Sequence, residues 1–350
     1  MAKYYDWAAT LSRQTDTNGE ICIVIGAKGI GKTFGLRLLC VSDYLKRGRR
    51  FCEICRTKEE MKAVKKGYFD KLQNAGYFND CEFRVEGNTG QIRKGKNDDW
   101  QVLCYFVALT SFQTEKKRTY AGVYRFLFDE ALIDRKDRYH RYLPNEFLIL
   151  ANILDSVSRE QPDSDTHYKL YLLGNACDLS APYMQYLGIN TIPEFGYSFY
   201  RDKTVLLHYV EPWNAEERKL NTLVGRMLSG NDEASMIFDN EFTDTGSGEI
   251  ESKTSRAKYA YTLKFNRDYF SVWIDYKSGV FYIVGKHHSS KNAHVYTLTK
   301  DDAQIDYTSL RRNEPFLQIL NDVFYLGGLR YDSIATREKF LTVLDFLGIR

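Results

Sequence analysis

One octapeptide constrains this chain more than anything else in it. Residues 26–33 read Gly-Ala-Lys-Gly-Ile-Gly-Lys-Thr, and every fixed position of the pattern G-x-x-x-x-G-K-[S/T] is met. An apolar run containing Ile21, Ile23, Val24 and Ile25 leads in and reads as a buried strand. An amphipathic stretch leads out, with Phe34, Leu38, Val41 and Leu45 on one helical stripe. The expected unit is therefore strand, phosphate-binding loop, helix. Gly26, Gly29 and Gly31 let the backbone curl so that successive amides, including those of Ala27, Lys28 and Ile30, face an anion. The helix beginning at the loop points its positive dipole end the same way. Lys32 is expected on the β- and γ-phosphates, and the Thr33 hydroxyl on Mg²⁺. ATP with Mg²⁺ is the expected ligand pair.

A second segment, residues 124–130, is an apolar strand that ends in Asp129 and Glu130. Asp129 is expected to hold the metal through its water shell, and Glu130 to orient and polarise the attacking water. Asp129 follows Lys32 by 97 residues, room for intervening strand–helix units. Because a kinase must exclude water while a hydrolase must activate it, the adjacent acids favour hydrolysis. Asn175 closes a third apolar strand, residues 168–176, where a polar tip can sense the γ-phosphate or simply make a strand-end turn. Arg159 follows an apolar helix-like stretch and is a candidate to complete a neighbouring subunit's site; Arg56, Lys116, Lys117 and Arg118 are others. Lys58, Lys62, Lys65 and Lys66 form one basic helical face, able to track phosphates or to be a solvated helix side.

The 350 residues suggest two domains. With 43% hydrophobic and 27% charged residues, the chain is neither disordered nor polytopic in a membrane. The formal charge of +3 leaves any nucleic-acid surface to local patches. No apolar run has signal-peptide or membrane-spanning length, and seven scattered cysteines suit a reduced cytosolic protein. Cys52 and Cys55 make a C-x-x-C inside a strand pattern, without a second pair at zinc spacing. Strands alternate with helices through the first half, which predicts βαβ units and a mainly parallel sheet. A charged, helix-like segment follows Tyr200, then a Gly/Ser/Thr-rich loop, three strands with a turn at residues 277–279, and two helical patterns. The predicted division is an α/β ATPase domain over 1–207, a helical linker over 208–243 and an α+β domain over 244–350.

Taken in order, residues 24–33, the strand 127–130 with residues 141–147, the strand end 172–176, and residues 272–284 with 294–302 resemble one group. It is the DNA-packaging ATPase of small short-tailed bacteriophages of the phi-twenty-nine type, matched from about Glu20 to about Asp302. The resemblance implies an ATP-driven motor that moves double-stranded DNA into a procapsid. It implies a RecA-like ATPase domain of the ASCE class, and a C-terminal RNase H-like domain without nuclease activity. The implied assembly is a homopentameric ring at the portal vertex, in the host cytoplasm, bridged to the procapsid by a packaging RNA. By the same match Arg159 falls at the trans-acting arginine finger, and Lys58 and Lys116 fall near basic positions of intersubunit or DNA contact. Two rival readings remain: a terminase- or helicase-like ATPase with a live nuclease, for which Asp275 is the best local acid, and an ATP-gated assembly or RNA-binding module. Asp268, Asp301, Asp302 and Asp306 are scattered, and His287 and His288 read as surface residues.

Overall fold

The apolar run ahead of the glycine-rich loop becomes an inner strand of a nine-stranded sheet. In this computed structural model residues 4–16, 19–111, 120–133, 142–143, 145–158, 168–176, 181–189, 193–212, 223, 227, 249–290, 293–311 and 314–349 are described. The chain divides into two compact units, Met1–Gly188 with Pro193–Thr243, and Ile189–Ile192 with Asp244–Arg350.

The first unit runs α1 (Trp7–Asp16), β1 (Ile21–Ile25), α2 (Lys32–Arg47), β2 (Arg50–Cys55), α3 (Lys58–Lys65), α4 (Asp70–Asn74), β3 (Glu82–Glu86), β4 (Thr89–Arg93) and β5 (Gln101–Ala108). It continues with β6 (Val123–Phe128), α5 (Glu146–Ser158), β7 (Lys169–Gly174), α6 (Pro182–Tyr186), β8 (Gly196–Tyr200) and β9 (Val205–Tyr209). The strand order is β3-β4-β5-β2-β6-β7-β1-β9-β8. From β5 to β9 every pairing is parallel, and antiparallel strands close both edges. The inner strands are almost wholly buried, which is why they read as unbroken apolar runs rather than alternating ones. At one edge, β3 presents the alternating charges Glu82, Arg84 and Glu86.

The parallel register decides where chemistry can occur. Ile25 pairs with Gly174, Phe128 with Leu172, and Ile54 with Phe128. The C-terminal ends of β1, β7, β6 and β2 thus lie side by side along one rim of the sheet. β7 stands between β1 and β6, although it follows both in sequence.

Two expectations change. The helix carrying the basic face of Lys58, Lys62, Lys65 and Lys66 stops at Lys65 and a second, short helix follows, because Gly67 turns the chain with φ +62. α3 itself opens on a capping box, Thr57 with Glu60. The first sheet also runs past residue 207, since β9 continues to Tyr209, and most of 208–243 lies outside the described residues.

The second unit carries β10 (Lys258–Phe265), β11 (Asp268–Asp275), β12 (Val280–Val284), β13 (Val295–Thr297), β14 (Thr308–Ser309), α7 (Pro315–Tyr325), β15 (Leu329–Tyr331) and α8 (Ile334–Leu347). Its sheet order is β14-β13-β10-β11-β12-β15. β10, β11 and β12 are antiparallel to one another; β13 joins β10, β14 joins β13 and β15 joins β12, all in parallel. The turn between β11 and β12 closes at Gly279, φ +73, as the sequence predicts. Leu263, Phe270, Val272 and Ile283 pack with Leu320, Phe340 and Leu344 to form this unit's core. No helix among the described residues is long and apolar enough to cross a membrane.

A half-buried base titrates within the first unit. The Tyr5 hydroxyl and His208 Nδ1 lie 2.7 Å apart, and Tyr197 stacks on the imidazole at 3.8 Å. Burial, aided by Arg13, pushes His208 down from the ordinary 6.5 to about 4. Its folded value lies below its unfolded one, so its contribution to stability is present above pH 6.5 and is lost as pH falls towards 4. Urea unfolding of the wild type should therefore lose stability across that window, and His208→Gln should flatten the dependence there.

Candidate active site

Each strand of the shared rim delivers one polar group. After β1 the loop runs through Gly29 at φ +83 and Gly31 at φ +85, left-handed positions that only glycine holds without strain. A Cβ on Gly31 would also come within 2.7 Å of the Tyr4 ring. α2 begins at Lys32, so the free amides of its first turn point into the loop. The Lys32 ammonium lies in that cradle, donating to the carbonyls of Gly26 and Ala27 and, at 3.3 Å, to Asn175 Oδ1. Asn175 reaches it from the tip of β7. The Thr33 hydroxyl donates to Asp129 Oδ2 at 2.7 Å, across from the tip of β6. A hydroxyl and a carboxylate in contact beside a phosphate-type loop are a hard-oxygen donor set suited to Mg²⁺.

Glu130 follows with φ +51, a left-handed conformation rare for a residue with a side chain. Its amide donates to Asp129 Oδ1 at 3.1 Å, and the next amide, of Ala131, donates to the Leu173 carbonyl at 2.9 Å. Its carbonyl accepts from both Arg56 Nη1 and Nη2, at 3.3 and 3.4 Å, and Arg56 Nη2 also donates to the Ala131 carbonyl at 3.1 Å. The main chain at Glu130 is therefore clamped on both sides while the residue itself is exposed.

The sequence offered Arg56 as a candidate to complete a neighbouring subunit's site, and the structure instead buries it within its own chain. Arg56 is only 6% exposed, and its Nε bonds both Glu146 carboxylate oxygens, at 3.1 and 2.9 Å. Glu146 also accepts from the Leu143 amide (2.8 Å) and the Tyr183 hydroxyl (2.6 Å). One buried carboxylate so ties β2, the turn after β6, α5 and α6 together. Glu60 bonds the amides of Arg56 and Thr57, and burial raises its carboxyl above the usual range, with the Glu130 charge adding to the effect. Sequence reasoning missed Glu146 and Tyr183 altogether.

Of the basic candidates, Lys58, Lys62 and Lys66 are exposed, whereas Lys65 is occupied with the Gly87 carbonyl and Asn88 Oδ1, both at 3.0 Å. Arg159, Lys116, Lys117 and Arg118 lie outside the described residues. Asp275 is 1% exposed and spent on the β11–β12 turn, accepting from the Lys277 amide at 3.0 Å and pairing with Arg256 at 3.3 Å. Among the described residues no group of three or more His, Cys, Asp or Glu is placed to hold a metal ion.

Comparison with known proteins adds a family to this geometry. The profile of the family described as "Podovirus DNA encapsidation protein (Gp16)" matches residues 2–344. The DNA packaging protein of Bacillus phage phi29 is 31% identical over 320 residues, 90% of each chain. That of Bacillus phage B103 is 29% identical over 318 residues, 90% of this chain and 93% of the other. Among solved structures, a chain of the bacteriophage Phi-29 viral genome packaging motor assembly superposes with a TM-score of 0.66 at 24% identity, covering 99% of both chains. A chain of the Phi-28 gp11 DNA packaging motor gives 0.70 at 18% identity, covering 100% and 99%.

The Arg56–Glu146 pair supplies a stability test. Glu146→Ala would leave a buried guanidinium without its counter-charge, and should cost about 3–5 kcal/mol by denaturant unfolding. Glu146→Gln keeps acceptors and shape and should cost less.

Proposed function

Because the chain belongs to the podovirus DNA encapsidation protein family, we propose that it is the ATP-hydrolysing motor that drives double-stranded DNA into a phage procapsid. The observation that carries the reading is the 2.7 Å contact between Thr33 and Asp129, which joins the phosphate loop to the acid-tipped strand. β7 inserted between those two strands, with Asn175 at its tip, supports a RecA-like domain of the ASCE class.

In this reading the loop amides and the Lys32 ammonium bind the triphosphate, and Thr33 and Asp129 hold Mg²⁺. The metal supplies charge neutralisation on the phosphate oxygens. The exposed Glu130 carboxylate orients water and takes its proton, steadied by the clamp on its own main chain. Asn175, in contact with Lys32, registers whether the γ-phosphate is present. Tyr4, 65% exposed, faces Phe34 with ring centroids 6.3 Å apart, and the two offer flat apolar surface beside Gly31 for the base. Arg159 is assigned to the site of the neighbouring copy in a pentameric ring, stabilising transition-state charge there. Lys58, Lys62 and Lys66 would meet DNA phosphates. Translocation is coupled to turnover through α3, whose capping box starts at Thr57, the residue after the Arg56 that clamps Glu130.

The second unit's order, three antiparallel strands flanked by β13 and β14 in parallel, supports an RNase H-like sheet. Partners in this reading are double-stranded DNA, the portal and a packaging RNA, at the portal vertex in the host cytoplasm.

Lys32→Ala and Glu130→Gln should each lower ATP turnover about a hundredfold or more without shifting the unfolding transition. Near-normal phosphate release from either would remove the site assignment. Arg159→Ala should also lose turnover, and copies with intact Arg159 but Glu130→Gln should partly restore it on mixing. Absence of rescue would take Arg159 out of the site.

A further inference from the structure

The phosphate loop is held from behind by a segment that the chemistry of the site does not use. Asp6 caps α1, its Oδ1 accepting from the Ala9 amide at 3.1 Å, and so fixes where Tyr5 and Trp7 stand. Both of these are 6% exposed. The Tyr5 amide donates to the Ile30 carbonyl at 2.9 Å, and the Trp7 indole Nε1 donates to the Lys32 carbonyl, also at 2.9 Å. Two carbonyls at the turn from loop to helix are therefore gripped by one short stretch of chain.

Peptide geometry gives these two contacts a consequence. In a planar trans peptide the C=O and the following N–H point in opposite directions. Gripping the Ile30 carbonyl aims the Gly31 amide the other way, and gripping the Lys32 carbonyl does the same for the Thr33 amide. An anion at the start of α2 is met by amides of this kind, and they serve it only if they converge.

The bracket is itself anchored. The Tyr5 hydroxyl lies 2.7 Å from Thr10 Oγ1 and 2.7 Å from Nδ1 of His208 on β9, the strand beside β1. The Trp7 ring meets Tyr5 edge-on at 4.9 Å and Tyr171 of β7 at 5.7 Å between centroids. Facing the indole, α2 carries Gly35, where a Cβ would come within 2.6 Å of Trp7 Cδ1 and 3.0 Å of its Nε1. A buried indole needs an acceptor wherever it packs. Here that acceptor is a carbonyl of the phosphate loop, and the helix has no side chain where the ring approaches.

We propose that Tyr5 and Trp7 are positioning residues for the phosphate loop, setting its affinity for a triphosphate by fixing the Gly31 and Thr33 amides before the ligand arrives. A loop already ordered in its binding shape loses less freedom on binding, and the difference appears as affinity. The proposal deepens the reading above and rests on it for the identity of the ligand.

The test uses the full chain. A non-hydrolysable ATP analogue with Mg²⁺ is titrated by calorimetry, and ATP turnover is followed by phosphate release. Trp7→Phe keeps a ring in place without an N–H to donate. It should weaken binding about three- to tenfold and raise KM by the same factor, with kcat unchanged. Gly35→Ala keeps the indole and favours the helix, yet crowds Trp7 away from the Lys32 carbonyl, and should weaken binding comparably. Both changes remove one contact, so together they should cost little more than either alone. If Trp7→Phe does not fold, Gly35→Ala decides. Unchanged affinity in the single variants, fully additive losses, or a fall in kcat at unchanged affinity overturns the proposal. So does a lowered unfolding transition in Trp7→Phe with normal affinity, the mark of packing alone. Lys32→Ala is the control: retained affinity there sinks the nucleotide-site reading as well, whereas lost affinity there beside intact binding in the other variants sinks the bracket alone.

Discussion

Parallel pairing is the constraint from which the rest follows. In a parallel sheet neighbouring strands end on the same rim, and register alone decides which residues meet there. The match of Ile25 with Gly174 sets Gly26 beside Asn175, and that of Phe128 with Leu172 sets Asp129 beside Leu173, on the same rim. A shift of one residue in either ladder would turn each tip to the other face of the sheet. The apolar burial of β1, β6 and β7 locks that register. The interior of the first unit thus positions a polar site none of whose defining groups belongs to the hydrophobic core.

A second layer of control comes from a charge pair that the core does enclose. Arg56 and Glu146 are both nearly inaccessible, and between them they reach the turn after β6, the start of α5, and Tyr183 on α6. Two charges in low dielectric are a poor source of net stability and a strong source of geometry, since each is satisfied in only one arrangement. That arrangement holds Glu130 in its left-handed backbone. Strain at the acid and the buried pair behind it belong to one device.

How much of this was legible in the sequence depended on range. The glycine loop, the acid pair and the Asn tip each sit within a few residues of an apolar run, so local pattern sufficed to place them on strand ends. The C-terminal strands and their turn were readable for the same reason. Arg56 was visible only as a basic residue after a strand, because its partner lies 90 positions away and spacing carries no signal for that contact. The β3–β4 hairpin escaped because Glu82, Arg84 and Glu86 dilute its strand character, although Gly87-Asn88 between the strands was a usable turn signal. α1 escaped because its polar residues mask the stripe that Trp7 and Thr10 bury.

The charged strand at the margin of the first sheet bears on solubility. β3 leaves one side of its backbone unpaired, the kind of border along which identical chains stack into fibrils. Its acids and arginine answer one another locally, Arg84 with Glu86 and Arg93 with Glu82, so a second molecule laid alongside would have to break these bridges or bury them. The route to open-ended polymer along this border is guarded electrostatically.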